Sequence, residues 1–412
     1  MFKSALAASK VLLLAFLLAF PGILGAMDLG VSVDSSSDVQ VQLGGYVLEH
    51  MDTITLWGLR QARESGELGF SWRVYYRYST ERMIAFDVDE LYLTAQLNAF
   101  ANRSIIKVGR FTHRDWSGVV FSHAMDGLHV YSETGVADFR AVLGTTAFIA
   151  GHNASIFLSS LDSQNRDAMF GSPRAVAGIG ARFTQIVDWF VPSLDSVLQY
   201  ELRPDSDIAV NTQHVIARFD FGIGSRFALQ PVLAAMLVQS TDGQATREYG
   251  YLGTLRLQYI QAGLAGLIVQ GEGWYASGAG DSAPAISLYS AGAYRPVSTV
   301  RVTRIYPLDI GGSMGGKVVL GFNPFKSSDA LWLQESRINL QAVGLMQSAW
   351  PQIAQADFFT TRYLGTDLLL SLVMRAAPEL GFRLGGGVFV PGPALADQEL
   401  ITRILLDISL TI

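Results

Sequence analysis

The sequence predicts an all-β protein: a single closed antiparallel transmembrane β-barrel of roughly 16 strands, with about 14 to 18 left open. Three observations predict this fold. The 412-residue chain is apolar, with a mean hydropathy of +0.28 and only 16% charged residues, whereas average soluble domains carry roughly 25%. Past the N-terminus it contains no run of about 20 apolar residues, the length that a membrane-spanning helix needs. Apolar residues recur instead at every second position of many segments.

Residues 1–26 have the three-part layout of a secretory signal peptide. A basic start precedes an apolar block from Val11 to Phe20, and a helix breaker then leads to small residues that end at Ala26. Cleavage after Ala26 is expected, and an uncleaved anchor is the alternative. The chain has no cysteine, which excludes disulfides, thiolate metal sites and Cys nucleophiles. Residues 27–38 are interpreted as a short N-terminal lead-in or a first partial strand, and residues 39–412 as the barrel.

Segment 68–78 shows the alternation clearly, because leucine, phenylalanine, tryptophan, valine and tyrosine fill its even positions while serine, arginine and glycine occupy odd ones. A strand points successive side chains to opposite faces, so one face suits hydrocarbon and the other suits water. The same split marks segments 39–47, 91–97, 215–221, 255–259 and 380–390. Weaker strands are expected at 104–110, 127–132, 138–150, 174–184, 194–201, 226–238, 264–274, 300–305, 312–320, 337–346 and 363–375.

A soluble β-sandwich also alternates, but two features favour the barrel. Aromatic residues such as Tyr76, Tyr78 and Tyr259 lie near segment ends on the apolar face, which suits the aromatic girdles of membrane barrels. The opposite face combines glycine with long charged residues, as at Arg383, and this combination suits a wet lumen better than a sandwich core.

The C-terminal segment alternates up to the last residue, Ile412, with apolar residues at Ile404, Leu406, Ile408 and Leu410. Here the chain resembles bacterial outer-membrane β-barrel proteins, whose final strand alternates in this way and ends on a hydrophobic residue, commonly Phe. The resemblance is one of pattern and covers most of the mature chain. It implies a location in the bacterial outer membrane and recognition of the last strand by the barrel-insertion machinery.

Several positive side chains are predicted to face the lumen and to line a pore: Arg73, Arg77, Arg110, Arg218, Arg256 and Arg383. Side chains alone cannot fill a barrel of this size, so the lumen is expected to hold water. A water-filled lumen tolerates charges of both signs, and these charges make the passage of a solute depend on its own charge. The sequence therefore predicts a porin-like channel for passive diffusion of small hydrophilic solutes. A lumen plugged by mutually paired charges is the alternative.

Two irregular segments are candidates for a constriction. Segment 111–125 contains His113, Arg114 and Asp115, and it resembles the inward-folded loop of general porins in position and mixed charge; a solvated external loop is the alternative. Segment 277–299 is rich in small residues and is expected to be an external loop or an insertion into the lumen.

Other functions are less well supported. No fixed spacing joins the histidines to a serine or a metal ligand, so neither an enzyme, a metal site nor a cofactor is predicted. A net charge of −6 argues against a nucleic-acid partner. The predicted partners are the lipid bilayer, the insertion machinery and small solutes, with a homo-oligomer left open. The alternatives are a surface barrel that acts through its loops, as an adhesin or structural protein, and a transporter of hydrophobic compounds.

Overall fold

The computed structural model describes most of the chain after the N-terminal segment. The described residues are 27–42, 45–62, 66–80, 84–98, 103–150, 153–158, 162, 168, 170–184, 186–203, 209–240, 246–261, 263, 265–278, 294–305, 308–348, 362–395 and 399–412. The predicted signal peptide at 1–26 lies outside them. No helix in the described part is long and apolar enough to cross a membrane.

The described chain forms one antiparallel sheet of 18 strands, in which β1 pairs with both β2 and β18 and thereby closes a barrel. This count lies at the upper limit of the predicted range. The strands are β1 Asp28–Gln42, β2 Gly45–Arg60, β3 Leu68–Ser79, β4 Ala85–Leu97, β5 Ser104–Arg114, β6 Ser122–Glu133, β7 Ala137–Thr145, β8 Arg174–Phe183, β9 Phe190–Glu201, β10 Val210–Ile223, β11 Phe227–Ser240, β12 Thr246–Gln261, β13 Leu267–Ala276, β14 Ser313–Phe322, β15 Arg337–Gln347, β16 Tyr363–Ala377, β17 Leu380–Pro391 and β18 Ile401–Thr411. One short helix, α1 (Leu331–Gln334), precedes β15.

The two ends of the barrel differ in their connections. At the end where β1 leads into β2, the connections include the long segments 146–173 and 277–312; we call this the loop end. At the other end, where both termini of the barrel lie, most connections are short, such as 224–226 and 378–379; we call this the turn end.

The outward face is apolar, as the alternation predicts. Leu143, Ile179 and Leu233 are each about 60% exposed or more, which in water is unfavourable for so many large side chains on one surface. Aromatic pairs mark both ends of this face, with the Phe227 and Tyr259 ring centroids 4.7 Å apart near the turn end and Tyr251 and Tyr275 stacked at 5.8 Å near the loop end. This arrangement matches the hydrocarbon band and girdles of a membrane barrel.

Two segments differ from their predicted places in the sheet. The alternation over 39–47 runs across a hairpin: Val47 pairs with Gln40 and therefore shares its face, not that of Val39. Residues 27–38, interpreted as a lead-in or partial strand, lie almost entirely within β1. The alternation of apolar and polar residues continues in the sequence from β1 into β2, so the sequence alone assigned the end of β1 and the start of β2 to one strand.

Segment 300–305, expected to be a strand, pairs with no wall strand and forms only the isolated bridge between Arg301 and Asp309. It lies inside the barrel, where Thr303 and Ile305 are buried while Arg301 and Arg304 are exposed. A short segment that turns some side chains into a packed interior and others toward water alternates as a strand does, which explains the wrong prediction.

Candidate functional site: a lumen narrowed by inserted segments

The tip of the β5–β6 hairpin leaves the barrel wall. β5 pairs with β4 only up to Arg110, and β6 pairs with β7 only from Asp126. Beyond these two residues, β5 and β6 pair with each other alone, up to the contact of Arg114 with Ser122. Segment 111–125 is therefore a two-stranded hairpin tip that pairs with no strand of the wall, and we call it the ribbon.

The ribbon departs at Gly109, whose φ of +125° strongly favours glycine, and a Cβ there would collide with the carbonyl oxygen of Leu91. Arg110 fills the gap that the ribbon leaves in the wall. Its guanidinium lies 2.8 Å from an Asp126 oxygen and donates to the carbonyl oxygens of Val88, at 3.0 Å, and Phe148, at 2.8 Å. A residue predicted to line the pore is thus engaged in closing the wall.

Asp115 holds the turn at the tip of the ribbon. It is 2% exposed, and its carboxylate accepts hydrogen bonds from the backbone N–H groups of Gly118 at 2.7 Å, Val120 at 3.1 Å and Phe121 at 2.6 Å. The Ser117 hydroxyl donates to the same carboxylate. Asp115 was predicted to be a constriction residue, and the structure shows it buried within the turn instead of facing the open lumen.

The tip is tied by charged groups to the neighbouring wall, which β7–β10 form. The backbone N–H of Trp116 donates to Asp195 on β9 at 3.1 Å, and Arg140 on β7 binds the same carboxylate at 2.6 Å. The Arg140 guanidinium also lies over the Trp116 ring, 4.0 Å from its centroid. Arg218 on β10 donates to the Trp116 carbonyl oxygen. The ribbon is therefore folded inward, against the wall formed by β7–β10.

A second inserted segment, residues 146–150 and 153–158, lies beside the ribbon; we call it the anchor segment. Ile149 and Leu158 are buried on it, and Asn153 donates to Asp87 on β4 at 2.6 Å. The Ser155 N–H donates to His123 Nε2 on the ribbon at 3.1 Å.

A fully buried charge cluster lies at the base of the same connection. Arg174 and Glu201 are paired at 2.7 Å, and Asp162 binds Arg174 at 2.8 Å. Arg203 contacts both acids, and its pKa is raised because they outweigh the effect of burial. Burying charges is costly unless they are paired and hydrogen-bonded, and this cluster satisfies that condition.

A third inserted segment, residues 294–305 and 308–310, crosses the barrel; we call it the crossing segment. On one side, the Arg295 carbonyl oxygen lies 2.9 Å from His214 Nε2 on β10. On the other side, the Ile305 N–H donates to Asp367 on β16 at 2.8 Å, and Arg304 pairs with Asp407 on β18 at 3.5 Å. One short segment can reach both β10 and β18 only through the lumen. Of the connection 277–299, for which an external loop or an insertion was expected, the part from 294 is inserted, while residues 279–293 lie outside the described residues.

The three inserted segments bind one another. Ser298 on the crossing segment donates its N–H to the Val120 carbonyl oxygen at 3.0 Å and accepts from the Ser122 N–H at 2.7 Å. Thr299 donates its hydroxyl to the Ser155 carbonyl oxygen at 2.6 Å. Their apolar side chains share one buried cluster with residues of β7–β13 and β15–β18, so this side of the lumen is filled.

The other side of the ribbon faces a polar cavity of about 340 Å³. Side chains of β2–β4 form one wall, and the ribbon and the anchor segment form the other. The lining residues are Thr53, Thr55, Arg73, Tyr75, Arg77, Asp87, Val88, Asp89, Thr112, Ser122, His123, Ala124, Ile149, Asn153 and Ser155. Arginines of β3 and carboxylates of β4 thus lie side by side on one wall and face polar groups of the ribbon and the anchor segment, a mixed lining of the kind that gives a pore selectivity.

Two of the predicted lining arginines face this cavity. Arg73 is 44% exposed and lies 3.4 Å from Asp89 and 3.2 Å from Glu90. Arg77 packs over the Tyr75 ring, 4.8 Å from its centroid. Both point inward from β3 and leave part of their charge accessible to a solute.

The remaining predicted residues are spread around the lumen and do not join this group. Arg256 on β12 pairs with Glu272 at 3.1 Å, and Arg383 lies opposite Asp407 in the β17–β18 register. Arg218 pairs with Asp220 at 2.8 Å besides holding the ribbon. Of the predicted constriction residues, His113 is 5% exposed and packs toward the filled side. Arg114 is exposed, and its carbonyl oxygen accepts a hydrogen bond from the Arg140 guanidinium. Their roles in conduction stay predictions.

Sequence reasoning missed Asp87, Asp89, Asn153 and the Arg140–Asp195 pair. A β-bulge at Asp89 lets neighbouring acids of β4 share the inward side, and an alternating pattern cannot anticipate such an irregularity. Asn153 and Asp195 find their partners over separations of 66 and 55 residues, which no local spacing reveals.

The fold matches known structures. OccK11 (OpdR) of Pseudomonas aeruginosa superposes with a TM-score of 0.58 at 13% identity, covering 95% of this chain and 97% of that chain. This chain has the same barrel fold. OpdO of the same organism gives a TM-score of 0.58 at 12% identity over 95% and 98% of the two chains. The outer membrane protein opdK, also from P. aeruginosa, gives 0.54 at 11% identity over 93% and 98%.

No protein-family model and no curated protein matches the sequence. The likeness therefore lies in the fold and not in sequence motifs. Among the described residues, no group of three or more His, Asp or Glu side chains is placed to hold a metal ion.

Proposed function

We propose that the protein is a porin-like channel of the bacterial outer membrane that lets small hydrophilic solutes diffuse down their gradients. The observation that carries the proposal is the polar cavity between the ribbon and β2–β4, inside a closed barrel whose outward face is apolar. The fold shared with an outer membrane protein of P. aeruginosa supports the location. Insertion through the last strand, β18, is part of the same proposal.

The inserted segments restrict the path. The ribbon, the anchor segment and the crossing segment fill the side next to β7–β13 and β15–β18, which leaves the β2–β4 side, with Arg73 and Arg77, as the route. A solute on this route passes arginines on one side and Asp87 and Asp89 nearby, so charge and orientation both affect its passage.

The test is conductance of the refolded protein in planar lipid bilayers. Open-state current is expected, and no current at any voltage would refute the channel. The double variant Arg73→Glu/Arg77→Glu is expected to shift the reversal potential toward cation selectivity. An ion that passes about 6 Å from one such charge in water gains or loses ~0.7 kcal/mol. Each change from arginine to glutamate therefore alters the energy of the ion by about 1.4 kcal/mol, which is roughly a tenfold change in its local concentration before screening by salt.

Arg226→Glu is the matched control, because Arg226 is an exposed arginine in the β10–β11 turn, outside the cavity. It is expected to leave the reversal potential nearly unchanged. An unchanged potential in the double variant would show that Arg73 and Arg77 do not line the path.

A further inference from the structure

Three polar side chains meet on the outward face of the barrel, away from the lumen. Ser37 on β1 pairs directly with His50 on β2, and Asp52 lies two residues from His50 and so on the same face. The neighbours on this face are apolar: Val41 and Leu48 toward the loop end, and Ile54 toward the turn end, are each more than 40% exposed. A charged or polar group on such a face is costly and usually has a function.

The three side chains form a hydrogen-bonded relay. Ser37 Oγ lies 2.9 Å from His50 Nδ1, and His50 Nε2 lies 3.1 Å from Asp52 Oδ2. An ionised carboxylate only accepts hydrogen bonds, so Nε2 carries the proton and donates to Asp52. Nδ1 is then the acceptor for the Ser37 hydroxyl. The imidazole is held in the tautomer of a general base, which is the logic of an activated serine.

The backbone of His50 is also hydrogen-bonded on the side of β2 that faces β3. The His50 N–H donates to Thr80 Oγ1 at 3.1 Å, and the Thr80 N–H donates to the His50 carbonyl oxygen at 3.0 Å. Thr80 directly follows β3, and Tyr78 at the end of β3 pairs with Asp52. The relay therefore lies level with the loop-end margin of β3, and the β1–β2 hairpin carries Val41 and Leu48 beyond this margin.

The relay is open to that margin. The side chains of His50 and Asp52 are 33% and 45% exposed, and no inserted segment covers this outward face, because the described inserted segments lie in the lumen. Ser35, two residues before Ser37, pairs with Asp52 and adds a hydroxyl on the same face. An amphiphile lying against the barrel can bring an ester to Ser37.

We propose that Ser37, His50 and Asp52 form a hydrolytic site for acyl esters of amphiphiles in the outer leaflet. Ser37 Oγ attacks the ester carbonyl carbon while its proton passes to His50 Nδ1. The tetrahedral intermediate expels the alkoxide, which takes that proton and leaves as an alcohol, so that an acyl ester of Ser37 remains. Water then attacks this ester, giving its proton to His50, and the fatty acid leaves as Ser37 regains its proton. Asp52 stabilises the imidazolium in both steps.

This activity depends on the membrane placement proposed above but not on conduction. The sequence alone predicted no enzyme, since no fixed spacing joins Ser37 to His50. The β1–β2 register supplies the proximity.

The first experiment uses the refolded full barrel in detergent micelles with p-nitrophenyl esters of short and long fatty acids, and with bilayer phospholipid and lipopolysaccharide as sources of released fatty acid. Hydrolysis of a long-chain ester is expected. General acid–base assistance typically contributes about 10²–10⁴-fold, so Ser37→Ala and His50→Asn are expected to lower the rate by at least about 10²-fold. Ser36→Ala is the matched control, because Ser36 is the adjacent serine of β1 and faces the lumen; its rate is expected to equal that of the wild type.

A second measurement does not depend on the natural substrate. A fluorophosphonate is expected to phosphonylate Ser37 Oγ with loss of fluoride, which peptide mass spectrometry locates, and His50→Asn is expected to prevent labelling. All variants are checked for the heat-modifiable migration of a folded barrel and for unchanged conductance. Hydrolysis that persists in Ser37→Ala, labelling at Ser37 without any ester hydrolysis, or a folded wild type with neither activity overturns the proposal, while loss of conductance alone bears only on the channel.

Discussion

The Asp115 carboxylate holds the tip of the ribbon, so removing it is expected to loosen the constriction. In Asp115→Ala, three backbone N–H groups lose a charged acceptor at 2.6, 2.7 and 3.1 Å. Hydrogen bonds to charged groups contribute about 1.5–3 kcal/mol each. Three such bonds add to about 4.5–9 kcal/mol, and because water satisfies the freed N–H groups in part, we expect a net loss of about 3–6 kcal/mol for the folded and docked form of the turn.

Such a loss raises the population of an undocked tip by roughly 10²–10⁴-fold, since every 1.4 kcal/mol is a factor of about ten. The barrel wall is untouched, because Arg110 and Asp126 still close it. Single-channel recording is the assay: Asp115→Ala is expected to show larger open-state conductance or more frequent transitions between conductance levels than the wild type.

Ser117→Ala serves as the matched control, because it removes one hydroxyl donor to Asp115 while leaving the backbone donors in place. Its traces are expected to lie closer to those of the wild type than to those of Asp115→Ala, because the three backbone donors still hold the Asp115 carboxylate. A folded, heat-modifiable Asp115→Ala barrel with wild-type conductance and wild-type noise would refute the reasoning that the carboxylate holds a constriction.

Three further outcomes are expected. Arg174→Ala leaves the buried Asp162 and Glu201 with Arg203 as the remaining arginine, so a loss of up to about 3–5 kcal/mol is expected as a lower unfolding temperature in detergent, with partial recovery in Arg174→Lys; an unchanged temperature would contradict it. Gly109→Ala forces a side chain into a φ of +125° against the Leu91 carbonyl oxygen, so a lower yield of folded barrel is expected, while Gly222→Ala, with open space around its Cβ, folds normally. Burial raises the pKa of Asp309 on the crossing segment, and Arg301 opposes the rise. Because the folded-state pKa is raised, the contribution of Asp309 to docking is fully present below the ordinary carboxyl range and is lost as the pH rises through the raised value. Channel noise is therefore expected to increase from acidic to neutral pH in the wild type and to change less in Asp309→Asn.

Much of the barrel wall could be predicted from the sequence. The alternation at 68–78 and 404–412 assigns each side chain to the outward or inward face, because a strand has a period of two whatever its neighbours. Arg73, Arg77 and Arg256 followed from this pattern, and the structure places them on the inward face.

The interior could not be predicted in the same way. A period of two says nothing about where a hairpin leaves the sheet, which here depends on the positive φ of Gly109 and on the end of pairing at Arg110. The outward apolar face was determined by the residues alone. The tertiary structure alone decided that the ribbon folds inward to meet Asp195 and that Ser37 meets His50, because both contacts arise from register and long-range packing between residues distant in sequence.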